Sequence, residues 1–211
     1  QWGSSGLTYP ITDNTVGYWS FDEGEGNKAY DHSYRGAYYS ITGGSWVEAQ
    51  SGTGIELDGT GNEYLGLSNY AYKGDYFTEF TAEFWIYLDS HDTSSSKRIF
   101  KSYSPEFTIE MSTDNGFYIY VPQRKISDNN CCYSQSYHAG STSDITALED
   151  SWHHIALTYD GIDDKIEIYI DSVLLDSHTW SYSADMMLKT NSCCDSSTIN
   201  FDGIVDDIRF S

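Results

Sequence analysis

Basic residues are scarce in this chain. Eleven Lys and Arg stand against 32 Asp and Glu, a formal net charge of −21. Nucleic acid and anionic membrane surfaces would repel such a chain, so neither is expected as a partner. Divalent cations and neutral partners such as sugars remain, as does plain solubility in a salty exterior. No apolar run approaches the roughly 20 residues of a membrane span, so no membrane insertion is expected. The sequence has no Asn-X-Ser/Thr site; only the Asn-X-Cys form occurs, at Asn129 and Asn191. It has no initiator Met and no visible signal peptide, which reads as a processed chain. Its four cysteines, in an acidic Tyr- and Ser-rich context, place it outside the cytoplasm, secreted or at a cell surface.

Proline and methionine are also rare, at three each, whereas Tyr numbers 19 and Trp six. That balance favours sheet over helix. Short alternating runs recur between Gly, Asn, Asp and Ser. They are "TVGYWSF", "GIELDG", "FTAEFWIYL", "EFTIEM", "GFYIYV", "HHIALTYDG", "KIEIYID" and the final "GIVDDIRF". Many short strands with turn signals between them predict an all-β protein, a two-sheet antiparallel jelly-roll sandwich. In "HHIALTYDG", Ile155, Leu157 and Tyr159 share one face, with His154, Ala156 and Thr158 on the other.

Two segments break this rhythm. Residues 1–14 precede the first core strand as an extended arm, leaving 15–211 as one domain. Within it, a stretch at about 122–150 reads as a long insertion holding the first Cys doublet, and loops of that length are usually functional or pinned.

Five stretches line up with one family: "GYWSFDEGEG" at 17–26, "GIELDG" at 54–59, "FTAEFWIYL" at 80–88, "SWHHIALTYDG" at 151–161 with "IEIYIDS" behind it, and "FDGIVDDIRF" at 201–210. Together they resemble the laminin G-like jelly-roll domains of the concanavalin A-like lectin/glucanase superfamily. The resemblance covers about residues 17–210. It departs at Ser172, where the family usually has Gly, and the chain stops at Ser211 where the family normally continues.

Alternation along "GIVDDIRF" sets Ile204, Asp206, Ile208 and Phe210 on one face. If that face is the core, Asp206 is a carboxylate that needs a partner. Calcium takes carboxylate and carbonyl oxygens. The resemblance implies one Ca²⁺ near this aspartate, with an acidic residue of the early loop: Asp31, or Asp22. Pairing of Asp206 with backbone amides or an Arg is the alternative. His153 and His154 read as structural surface. Glycosidase chemistry is not expected, because Thr60 stands where a third carboxylate after Glu56 and Asp58 is required, and Glu167 and Asp171 do not fit either. For sugar stacking the candidates are Tyr118 and Tyr120 on one strand face, and Trp180 and Tyr182. A face half-covered by loops is the competing account.

The cysteines form two doublets, Cys131/Cys132 and Cys193/Cys194. A bridge within a doublet is strained, because adjacent Cα atoms lie only about 3.8 Å apart. A double staple between doublets is therefore expected, with its connectivity open. Two readings of function stand. One is a non-catalytic extracellular assembly subunit that associates with copies of itself, as an oligomer or filament, through the arm residues Trp2, Leu7, Tyr9 and Ile11. The other is a calcium-dependent carbohydrate-binding or adhesion module with a glycan partner.

Overall fold

A computed structural model describes residues 11–12, 14–59, 63–67, 76–89, 97–103, 106–112, 116–125, 131–179, 186–189 and 201–211. In chain order the first strands are β1 (Gly17–Trp19), β2 (Lys28–Tyr30), β3 (Tyr38–Thr42), β4 (Ser45–Glu48), β5 (Thr53–Asp58), β6 (Tyr64–Leu67), β7 (Tyr76–Phe77), β8 (Glu79–Leu88) and β9 (Lys97–Tyr103). They are followed by β10 (Glu106–Met111), β11 (Phe117–Lys125), β12 (Cys131–Ala139), a short α1 (Thr142–Thr146), β13 (Trp152–Asp160), β14 (Lys165–Ile170), β15 (Val173–Thr179), β16 (Met186–Lys189) and β17 (Asp202–Phe210). Every pairing between these strands is antiparallel.

The large sheet runs β15-β14-β13-β8-β17-β5-β4, with β1 also beside β17. A second sheet runs β7-β16-β11-β10-β9 with β12 also beside β11, and a third is β2-β3-β6. Between them lies the core of a jelly-roll sandwich. Phe80, Ala82, Phe84, Ile86 and Leu88 of β8 face it, as do Ile155, Leu157 and Tyr159 of β13 and Ile109, Phe117 and Ile119 of the second sheet. Alternation carries each of these sets inward, because successive strand residues point to opposite faces.

Alternation fails on β17. Its register against β8 slips between Asp206 and Arg209, and Asp207 takes a φ of 49°. An extra residue at this bulge flips the phase of the strand. Val205, Ile208 and Phe210 therefore reach the core, and Ile204 is only half-buried. The expected single face of Ile204, Asp206, Ile208 and Phe210 does not exist. Asp206 is nevertheless fully buried, opposite Trp85 and away from the core face.

The stretch at about 122–150 is also more regular than a loop. Residues to Lys125 complete β11, the part from Cys131 forms β12 against it, and α1 follows, closed by a capping box between Ser141 and Asp144. The two-residue turn from β14 to β15 holds Asp171 at φ 49° and Ser172 at φ 67°. Glycine fits such a turn without steric cost, so Ser172 occupies a position that disfavours it.

Candidate functional site

The outer face of β9–β10–β11–β12 is built from short polar and aromatic alternation. One row across it reads Arg98, Glu110, Tyr118, His138. The next reads Thr108, Tyr120, Ser136. Arg98, Thr108, Glu110, Tyr118 and Tyr120 are half-buried, and His138 and Ser136 are exposed. Phe117, Ile119 and Ala139 anchor the same strands from below at 0% exposure, so the face rests on a rigid floor.

Tyr118 sits at its centre. Tyr120 and His138 each meet it with ring centroids 4.3 Å away at 72°. Such edge-to-face contacts fix the rings relative to one another. They make an angular corner around Tyr118. Arg98 Nη2 lies 3.4 Å from Glu110 Oε2. Burial first, then the hydrogen bond and charge of Tyr118, push the Tyr120 phenol well above its usual range. It is a neutral hydroxyl at any physiological pH.

A second cluster lies beneath the bulge of β17. Asp206 Oδ2 accepts the Ser51 N–H at 3.1 Å, and Oδ1 has no hydrogen-bond partner among the described residues. Burial, then the charge of Asp207, push its pKa up to about 8, and Asp22 adds to the rise. Backbone amides of Ser51 and Asp207 pull the other way without prevailing. Asp207 Oδ1 accepts the Tyr18 hydroxyl at 2.6 Å. Asp22 Oδ1 accepts the Thr53 N–H at 3.2 Å, so one loop, 51–53, is held by Asp206 and Asp22 from its two ends. Asp31 has a different set of contacts. It accepts the N–H groups of Tyr18 and Ser33 at 2.9 and 2.7 Å and the Ser33 hydroxyl at 2.6 Å, stapling β1 to the loop after β2. Among the described residues no three His, Cys, Asp or Glu side chains converge as a metal cage.

Other expected residues are placed or lie outside. Ile11 is 46% exposed, while Trp2, Leu7, Tyr9, Trp180 and Tyr182 lie outside the described residues. So do Cys193 and Cys194. Cys131 and Cys132 begin β12, but their side chains are not among those described. His153 ties the end of β13 to the β14–β15 turn: Nδ1 is 2.7 Å from Asp171 Oδ2 and Nε2 is 2.9 Å from Ser151 Oγ. Asp171 Oδ1 also accepts the His154 N–H at 2.9 Å.

Two features were missed from sequence. The Arg98–Glu110 pair joins residues of β9 and β10 across a register slip, and no local pattern marks it. A cleft of about 870 Å³ between Tyr34, Arg35, Glu79, Asp160 and Glu167 gathers residues far apart in the chain.

The model of the concanavalin A-like lectin/glucanases superfamily, in its laminin G form, matches residues 58–211. The chain belongs to this family. A search of curated proteins finds no match. Among solved structures it is similar to the binding domain of Paraclostridial Mosquitocidal Protein 1, with TM-score 0.59 and 16% identity, covering 94% of this chain. The match spans 48% of that chain, about half its length. It is also similar to domain 4 of AbnA, a GH43 extracellular arabinanase from Geobacillus stearothermophilus, solved with arabinotriose. The TM-score is 0.56 and the identity 17%, covering 93% of this chain and 91% of that one. At these identities the likeness shows a shared fold.

Proposed function

We propose that this laminin G-like domain is a non-catalytic glycan-binding module, and that its ligand lies on the outer face of β9–β12. The observation that carries the reading is the row Arg98–Glu110–Tyr118–His138, a set of half-buried and exposed polar and aromatic groups on one sheet face. Aromatic rings with polar tips suit a sugar, which has apolar C–H patches and a rim of hydroxyls. The similar arabinanase domain, solved with arabinotriose, supports the same use of the fold. Self-assembly through the N-terminal segment draws no comparable support. Affinity electrophoresis against a panel of neutral polysaccharides tests the reading. The wild type should be retarded by at least one, and a Tyr118→Ala/Tyr120→Ala double variant should lose tenfold or more in affinity. Equal retardation of the two proteins, or none of the wild type by any polysaccharide, overturns it.

We also propose one structural Ca²⁺ at Asp206 and Asp22. A buried Asp206 oxygen without a hydrogen-bond partner among the described residues suits a cation, and the adjoining 51–53 loop offers carbonyl oxygens of the kind calcium takes. The ion would supply charge compensation, allowing Asp206 to stay ionised in a dry position. Asp31, already committed to Tyr18 and Ser33, would hold its loop in place instead.

A further inference from the structure

The small sheet β2-β3-β6 continues the layer that carries Tyr118. β6 lies beside β9, and Tyr39, Ile41, Leu65 and Leu67 enter the same core as Ile109, Phe117 and Ile119. The alternate side chains of β2, β3 and β6 therefore face outward, on the same side as Tyr118. Strand register sets them in rows. Tyr30 and Tyr38 form one, Lys28, Ser40 and Gly66 the next, and Tyr64 stands in the row beyond. Tyr30 is 55% exposed and Tyr64 44%, so a ligand can reach both rings. The Tyr30 and Tyr38 rings lie 6.5 Å apart at 56°, and Lys28 Nζ is held 4.1 Å from the centre of the Tyr38 ring.

Gly66 shows what this surface is for. Its φ is not positive, so the backbone there does not need glycine. A Cβ at this position would meet Tyr64 Cε2 at 3.3 Å, and the nearest backbone atom, the Ser40 carbonyl oxygen, only at 3.9 Å. The tight neighbour is an exposed ring that can turn aside. Glycine weakens a strand, and one that neither backbone nor packing requires marks a place where something approaches the strand closely.

We infer that one neutral polysaccharide chain lies across this layer, from Tyr118 over Gly66 to Tyr30, so that the module recognises an extended polymer. The inference rests on the glycan-binding reading at Tyr118 and adds a second anchor to it. Gly66 forms a low shelf, flanked by Tyr30 and Tyr64 as stacking rings, while Lys28 and Ser40 offer polar groups to sugar hydroxyls. Charge selects the occupant. Glu23 Oε1 accepts the Tyr30 N–H at 2.7 Å and Glu63 precedes Tyr64, so carboxylates border the shelf and oppose an acidic chain. Lys28 in the middle row opposes a basic one. None of these side chains is aliphatic, whereas the centre of a protein interface is mainly apolar. Five strand spacings separate β11 from β2, about 24 Å. That exceeds the reach of a trisaccharide and lies within that of an octasaccharide. Once Tyr118 holds one end, the second anchor acts at high effective concentration.

The experiment starts from linear arabinan, galactan, xylan and β-glucan. The polymer that retards the wild type most strongly supplies oligosaccharides of three and of eight sugars. Isothermal titration then compares the wild type with Gly66→Val and with Tyr30→Ala/Tyr64→Ala. Valine suits a strand, so the Gly66→Val melting temperature should not fall. The wild type should bind the octamer at least tenfold more tightly than the trimer. Both variants should lose at least tenfold on the octamer and bind the trimer as the wild type does. Tyr118→Ala/Tyr120→Ala should lose affinity for both. An octamer bound no more tightly than the trimer by the wild type, or bound equally by the wild type and both shelf variants, overturns the extended-chain assignment, while trimer binding that needs Tyr118 leaves the glycan reading standing. Absence of wild-type binding to every polymer overturns the glycan reading, and this inference with it.

Discussion

Two buried carboxylates on neighbouring strands of the large sheet meet opposite fates. Glu83 on β8 is 8% exposed and pairs across the sheet with Arg209 of β17. Arg209 Nε donates to Glu83 Oε1 at 2.6 Å, its Nη2 makes a further close contact, and His154 Nε2 lies 3.4 Å from Oε2. Burial alone would raise the pKa of Glu83, but His154 and Arg209 outweigh it and hold the carboxyl below its usual range. Asp206, three residues before Arg209, has no cation beside it among the described residues, and its neighbours Asp207 and Asp22 are themselves acidic. Burial costs both groups solvation, and among the described residues only Glu83 has a cationic partner. Glu83 is thus compensated by the fold, whereas burial of Asp206 favours its protonated form.

The strongest way to break this contrast is to strip Glu83 of its cation. Arg209→Met keeps most of the packing volume and leaves a buried carboxylate without its principal partner. Removing one member of a buried pair costs about 3 kcal/mol, toward the low end here because both groups keep some solvent contact. Urea unfolding should show that loss at pH 7. It should shrink in acid, as Glu83 takes a proton. A loss under 1 kcal/mol at pH 7 would show that Glu83 is compensated by something other than Arg209.

Supplying Asp206 with a cation approaches the contrast from the other side. Calcium at a hundredfold excess over its dissociation constant should stabilise the domain by about 2.7 kcal/mol. Asp206→Asn and Asp22→Asn should each abolish most of that gain, and Asp31→Asn should not. Chelated protein should also show a pH signature. Because the Asp206 pKa is raised to about 8 in the folded state, protonation favours folding. Stability without metal is therefore greatest below the ordinary carboxylate range and falls as pH rises toward 8. Glu83 has the opposite sign: its depressed pKa stabilises the fold at neutral pH, and this contribution is lost in acid. Identical melting curves in calcium and in EDTA, at matched ionic strength, would remove calcium from the account.

How much of this could be read beforehand depends on whether the signal is local. Strands such as β8 and β13 were legible because both faces of an antiparallel ladder repeat with period two. The family motifs lie on those same strands. Burial of Asp206 was expected too, but for the wrong reason, since the bulge at Asp207 moves it off the core face. A non-glycine residue with positive φ inside a strand has no reliable sequence mark. For the early loop, Asp31 was preferred to Asp22 as the partner of Asp206, because nothing local showed that Asp31 accepts the Tyr18 and Ser33 amides. β12 was hidden because Ser136 and His138 lie on its exposed side and a tyrosine, Tyr137, packs toward the core, leaving no plain apolar alternation to count. Tyr118 and Tyr120 were legible as a pair, while Arg98 and Glu110, which complete the face, meet only through strand pairing.

A finer question is which partner controls Glu83, and the smallest perturbation decides it. His154 lies opposite Trp85 on β13, its ring 5.2 Å from the indole, and reaches Glu83 only at 3.4 Å. His154 offers that carboxylate one long contact. Arg209 carries its charge at every relevant pH and approaches the same carboxylate more closely. His154→Gln retains an amide donor in place of the ring and loses the aromatic contact. The expected loss is about 0.5–1 kcal/mol, the net worth of one ordinary hydrogen bond. It should be well below that of Arg209→Met if Arg209 governs the carboxylate. A loss near that of Arg209→Met would make His154 the controlling partner, and the account of Glu83 as an acid compensated by its guanidinium would fail.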